Sequence, residues 1–241
     1  MPTYQVRQAD SYGHAVGVLL LEYRAPFIPG DVGNASSYQY PVLFKTVPGL
    51  TFEKVLSSDA ELEERVIEAA QELQSAGVRG ISSDCGFLIN YQDAVRKRLK
   101  TPAFMSSLLQ IPFVAATVNG PIGVMVAAAS GVGNRVLELA GVRTETQVVI
   151  KGLEDQPHFK EAILEQGGTL NSDVIEKEVV GVAQRMVKEH PDMGAIIMEC
   201  SLLPPYAKAV QQATQLPVFD FITMIDYFTA GAHRKAYSGY Y

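Results

Sequence analysis

The chain repeats itself. Its only two cysteines, Cys85 and Cys200, lie 115 positions apart (200 minus 85), and further residues match at that offset without a gap. Ile81 pairs with Ile196, Tyr91 with Tyr206, Ala94-Val95 with Ala209-Val210, Pro102 with Pro217 and Phe104 with Phe219. An acid precedes each cysteine, Asp84 in one copy and Glu199 in the other. A half-domain present twice folds twice, so each copy sets one thiol at an equivalent place. The two thiols are expected to face each other across a pseudo-twofold cleft.

The elements around the repeat alternate. Ala15 to Leu21 is a continuous apolar run, the mark of a strand buried on both faces. Tyr40 to Val47 reads as a second strand and Val78 to Asp84 as a third, which delivers Cys85. Between them, Ser58 and Glu61 form a capping-box pattern that opens a helix running to about Ala76, with Gly77 as its stop. A helix from about Tyr91 to Lys100 ends at Thr101-Pro102. The second copy follows the same order: strands at Ile122 to Ala129 and Gln147 to Lys151, a long amphipathic segment from Ser172 to Glu189, and the strand Gly194 to Glu199 that delivers Cys200. Pro204-Pro205 then opens another helix.

Alternating strands and helices predict an α/β protein of two pseudo-symmetric three-layer lobes with parallel sheets. The first lobe is expected to comprise residues 1–119 and 216–241, the second 120–215. Ligands of such sheets bind beyond the carboxyl ends of the strands, where both cysteines stand.

Composition narrows the partners. The 241 residues are 47% hydrophobic and 19% charged, with a formal net charge of −6. That describes a globular protein with a core and gives no electrostatic support to nucleic-acid binding. No apolar run approaches the roughly 20 residues that span a bilayer. The polar stretch Met1 to Asp10 lacks the apolar core of a signal peptide. A cytoplasmic location follows as the expectation, and with it reduced thiols rather than a bridge between Cys85 and Cys200. The polar, tyrosine-rich stretch from His233 to Tyr241 reads as a surface tail or a subunit contact.

Two thiols on opposing walls can do a particular kind of chemistry. An α-proton of a carboxylic acid is removed by a positioned base, and inversion needs a second group to return a proton on the other face. A thiol whose pKa is tuned toward neutrality serves either role. A cysteine at a strand end, just before a helix, is expected to have its pKa lowered by the helix terminus and nearby N–H groups. The pair therefore reads as a cofactor-independent racemase or epimerase acting next to a carboxylate or carbonyl. Ser82, Ser83, Gly86 and Ser201 are small and polar, as suits the approach of a carboxylate substrate. Phe87, Ser106 and Ser130 join them as expected substrate contacts, with Asn34 from the proline- and glycine-rich loop of residues 26–34. Asp84 and Glu199 either meet a substrate amine or serve structurally. The Ser130–Asn134 stretch carries a lone glycine-x-glycine and reads as a turn into a helix. His14, His158, His190 and His233 show no metal-ligand spacing, and neither a nucleophile elbow nor a phosphate-loop lysine is present. One-cysteine chemistry, with a nucleophile or proton donor, is the alternative; a ligand-binding protein without catalysis is the other.

The repeat, the strand-end cysteines and the run from Glu199 to Tyr206 (Glu-Cys-Ser-Leu-Leu-Pro-Pro-Tyr) resemble the aspartate/glutamate racemase superfamily, which includes hydantoin racemases, maleate isomerases and arylmalonate decarboxylases. Ile28 to Asn34 and Leu216 to Asp220 are similar to a branch known only as racemase-like. The resemblance implies two lobes around an interlobe site, no cofactor, Cys85 and Cys200 as an acid/base pair, an isomerase, and a homodimer or larger homo-oligomer. Retention of both thiols argues against a decarboxylase of the arylmalonate type, which keeps one. Gly86-Phe87 and Ser201-Leu202 depart from the polar pairs usual after these cysteines. With Leu88 and Leu203 they point to a less polar or cyclic acid rather than glutamate or aspartate.

Overall fold

The structure is a computed structural model, which describes all residues except 1, 2, 4, 7, 8, 58 and 241. Two parallel sheets form its frame. The first has the order β2-β1-β3, from Val42–Thr46, Val16–Leu20 and Ile81–Ser83. The second has the order β5-β4-β6-β7, from Val148–Gly152, Ile122–Val126, Ala195–Met198 and Val218–Phe219. The central strands are buried at every residue but Leu20, at the end of β1, which explains their uninterrupted apolar sequence.

The repeat survives in the hydrogen bonds. Ile81 N–H donates to Pro102 O at 2.9 Å, and Ile196 N–H donates to Pro217 O at 2.9 Å. Asp84 N–H reaches Leu19 O at 3.0 Å; Glu199 N–H reaches Met125 O at 2.8 Å. Ile81 also makes an isolated parallel bridge to Ala103, the counterpart of the pairing between Ile196 and Val218. The fourth strand is complete in the second sheet and reduced to one bridge in the first. Val218 and Phe219, expected with the first lobe, thus pair within the second sheet. The chain then crosses back at Asp220, which caps helix Phe221–Ala232, and that helix packs Phe221, Met224 and Ile225 against Val16 and Val18.

The expected helices are present with local adjustments. Ser58 of the predicted capping box lies outside the described residues. Asp59 caps there, accepting the Glu61 N–H at 3.0 Å and opening the 3-10 turn Ala60–Leu62, which runs into helix Glu63–Ser75. The amphipathic segment is helix Ser172–Glu189, capped by Asn171. Pro204–Tyr206 is a 3-10 turn leading into helix Ala207–Thr214. The glycine-x-glycine stretch does turn into a helix, Asn134–Leu139. Residues 234–240 have no regular structure and are exposed. Among the described residues no helix is long and apolar enough to cross a membrane.

Candidate active site

Beyond the ends of β3 and β6, both cysteines line one small cleft. They are free thiols, each less than a tenth exposed. Each follows its strand by two residues and precedes a turn: the 3-10 helix Gly86–Tyr91 after Cys85, and a tight turn before Pro204 after Cys200. Leu88 N–H donates to Cys85 O at 3.0 Å and Leu203 N–H to Cys200 O at 3.1 Å, so the two turns have the same shape.

The thiols are not activated in the expected way. The Phe87 N–H reaches Cys85 and the Leu202 N–H reaches Cys200, which favours the thiolates. Burial outweighs this, and Glu199 and Asp84 add to it, so both thiols are pushed well above their ordinary range. At rest the pair is neutral. The sequence showed the turn but not the depth at which the sulfurs lie.

The acids before the thiols share that burial. Burial raises Asp84 to about 7, opposed by the Leu21 N–H that its carboxylate accepts at 2.9 Å. Burial raises Glu199 to about 8. Glu199 is 1% exposed, and neither carboxylate oxygen has a hydrogen-bond partner; the Ala127 N–H, short of a well-formed bond, offsets the burial only in part. Gly86 is what admits it. A Cβ built on Gly86 would stand 2.2 Å from Glu199 Oε1, so the carboxyl group of one half lies over the backbone beside the other half's thiol. Asp31, 1% exposed, is raised to about 8 by burial, partly offset by the Gly33 N–H it accepts at 2.7 Å.

The expected substrate contacts divide. Gly86, Phe87 and Ser201 line the cleft with the cysteines. Ser201 Oγ donates to Asp84 O and so ties the halves together. Ser83, Ser106, Asn34 and Ser130 do not line it. Ser83 Oγ donates to Met105 O at 2.6 Å and Cys85 O at 3.0 Å, holding the turn from behind. Ser106 caps a 3-10 turn at Ser107–Gln110, and Ser130 is exposed. Asn34 caps the turn Ala35–Ser37, and its Nδ2 donates to Phe27 O at 2.9 Å. The proline- and glycine-rich loop thus reaches the cleft through Phe27.

Other walls had no signal in the repeat. Tyr23 and Phe27 pack with ring centres 6.3 Å apart, and Phe52 lies 6.0 Å from Phe87. Ile163 and Leu164 come from the π-turn Lys160–Leu164 of the second half. The Tyr23 hydroxyl donates to Ile163 O, and Arg24 N–H donates to Gln166 Oε1 at 2.8 Å, so this turn is fastened across the mouth. Among the described residues no lysine, arginine or histidine lines the cleft.

The architecture is that of the aspartate/glutamate racemase superfamily. Unliganded arylmalonate decarboxylase superposes with a TM-score of 0.59 at 14% identity, covering 92% of this chain and 94% of that one. Glutamate racemase RacE1 from Bacillus anthracis gives 0.60 at 14% identity, covering 90% and 80%. At such identities the likeness concerns the fold alone. No family model matches the sequence. Curated relatives are much nearer in sequence. "Dimethylsulfoniopropionate lyase" of Durusdinium sp. clade D is 36% identical over 226 residues, covering 90% of this chain and 74% of that protein. "Dimethylsulfoniopropionate lyase 7" of Emiliania huxleyi (strain CCMP1516) is 36% identical over 228 residues, covering 90% of this chain and 66% of that protein. "Dimethylsulfoniopropionate lyase 3" of the same organism is 37% identical, and this chain spans 57% of its length. The chain belongs to the family of these dimethylsulfoniopropionate lyases.

That membership corrects the expected reaction. The racemase or epimerase reading, and the isomerase class with it, is contradicted by these relatives, which are lyases by name. The repeat dictates where two thiols stand, not which reaction they serve. What leaves or returns next is set by the ligand and by the walls that hold it.

Proposed function

We propose that this protein is a lyase that eliminates a dialkyl sulfide from a β-sulfonium carboxylate, with dimethylsulfoniopropionate as the candidate substrate. Family membership carries the proposal. The cleft supports it, because both thiols border one small, largely apolar space closed by the π-turn. In the reaction a cysteine thiolate takes a proton from the carbon next to the carboxylate. The electron pair of that C–H bond becomes the new C=C bond. The carbon–sulfur bond breaks and its electrons leave with the sulfur, giving neutral dimethyl sulfide and acrylate. The leaving group needs no proton, so one base suffices where inversion would require two groups. Ser83 supports the Cys85 turn, and Gly86, Phe87 and Ser201 border the ligand.

Burial holds both thiols in their neutral form, so a base has to be generated. A cation entering a buried space that holds thiols and carboxyl groups favours their ionised forms. The substrate's sulfonium supplies that charge. A homodimer or larger symmetric assembly is proposed with it; sedimentation of the purified chain measures this.

Purified protein mixed with dimethylsulfoniopropionate is expected to release dimethyl sulfide into the headspace, measured by gas chromatography, with acrylate formed in equal amount. Intact substrate after prolonged incubation with folded protein removes the proposal.

A further inference from the structure

We infer that Glu199, together with the aromatic pairs Tyr23–Phe27 and Phe52–Phe87, forms the subsite that receives the positively charged end of the ligand. The inference deepens the lyase reading and rests on it for the identity of the cation.

Three observations lead there. Glu199 is a fully buried carboxyl group with no well-formed hydrogen bond on either oxygen among the described residues, and it borders the cleft. A buried carboxyl group is normally hydrogen-bonded or paired with a charge; here the protein offers only the Ala127 N–H, short of a well-formed bond, and no paired charge. Secondly, the glycine opposite leaves room for it: a Cβ at position 86 would stand 2.2 Å from Glu199 Oε1 where that carboxyl group now lies. Thirdly, the remaining wall is aromatic. Four rings line a cleft that has no basic residue, and ring faces attract alkylated cations such as sulfonium and quaternary ammonium groups. Methyl groups on a sulfonium cannot donate strong hydrogen bonds. A carboxylate and ring faces are the partners suited to such a charge.

The other acids of the site are committed elsewhere. Asp84 accepts the Leu21 N–H, and Asp31 accepts the Gly33 N–H inside its loop. Cys85 and Cys200 both feel the charge of Glu199, Asp84 lines the same cleft, and the Tyr23 hydroxyl is engaged by Ile163 O. All of these are acids, so a bound cation is the countercharge that suits the site.

Calorimetry with two unreactive analogues tests this without relying on turnover. 3-(Trimethylammonio)propanoate carries the cation; 4-methylpentanoate is the neutral carbon isostere of dimethylsulfoniopropionate. The wild-type protein is expected to bind the cation at least about tenfold more tightly than the isostere. Glu199→Gln, which keeps the shape, should cut that preference to less than about threefold, and Glu199→Asp should retain part of it. Phe52→Leu, at a partly buried ring, should lower it several-fold and serves if the position-199 variants fail to fold. Equal binding of both analogues by the wild type overturns the inference, as does an undiminished preference in folded Glu199→Gln. A protein that prefers the cation but releases no dimethyl sulfide keeps this inference and loses the lyase reading. One that releases dimethyl sulfide and binds both analogues equally keeps the lyase reading and loses this one.

Discussion

Asp84 and Glu199 hold the same place in the two halves, each directly before a thiol, yet they are used differently. Their backbones are equivalent, with N–H groups bonded to Leu19 O and Met125 O of the neighbouring central strands. Their side chains are not. Asp84 is short, turns back and accepts the Leu21 N–H at 2.9 Å, which fixes the end of β1. Glu199 is one methylene longer, meets the equivalent Ala127 N–H without closing a well-formed hydrogen bond, and lies over Gly86 of the other half. The difference teaches how a symmetric frame becomes an asymmetric site. Duplication supplies two thiols and two acids; one extra methylene and one glycine give them unequal roles.

The largest effects should separate the two thiols. An elimination that releases a neutral sulfide needs one base, so Cys85→Ala and Cys200→Ala should differ. One should lower kcat for dimethyl sulfide release by about a thousandfold, within the range general-base catalysis supplies, and the other by less than about tenfold. Equal, complete losses would restore symmetry to the pair and break the comparison.

The acids should separate in the opposite property. Asp84→Ala strands the Leu21 N–H and should cost about 1–3 kcal/mol of stability in urea unfolding. Glu199→Gln should cost little, and its effect should fall on ligand binding. The pH dependence sharpens this. Asp84 titrates at about 7, and Asp31 and Glu199 at about 8, all above the carboxylate range near 4 of an unfolded chain. Between those limits the folded protein holds more protons than the unfolded chain, so stability falls as pH rises. The contribution is fully present below about pH 4 and gone above about pH 8. The urea midpoint should therefore be lower at about pH 8.5 than at about pH 5.5, and Glu199→Gln should flatten that slope because an amide does not titrate. A midpoint that climbs across this window, or a slope untouched by the substitution, would place these acids elsewhere in the energetics.

Much of the frame was legible in the sequence, because apolar runs and a gapless repeat report backbone geometry directly. Cys85, Cys200, Gly86, Phe87 and Ser201 share one cleft because strand ends and repeat matches point to the same place. The rest depended on what spacing does not carry. Tyr23, Phe27 and Phe52 stand outside the repeat matches, on segments whose path is set by tertiary packing. The π-turn that brings Ile163 and Leu164 has no local signature in an ordinary amphipathic stretch. Ser83, Ser106 and Asn34 had the right chemistry, but their hydroxyl and amide groups satisfy backbone of the turns that shape the site. The thiols' pKa was misjudged because a turn's N–H groups are visible in a pattern while burial is not.

One labelling experiment bears most directly on removal of an α-proton by a cleft thiol. Dimethylsulfoniopropionate with both hydrogens next to the carboxylate replaced by deuterium is incubated with the protein, and the carbon product is examined by mass spectrometry. The predicted result is acrylate with a single deuterium, in amounts equal to the dimethyl sulfide released. Doubly deuterated 3-hydroxypropanoate, or a stable thioether on Cys85 or Cys200, would mean that the sulfur is displaced rather than eliminated and would contradict the proposed chemistry.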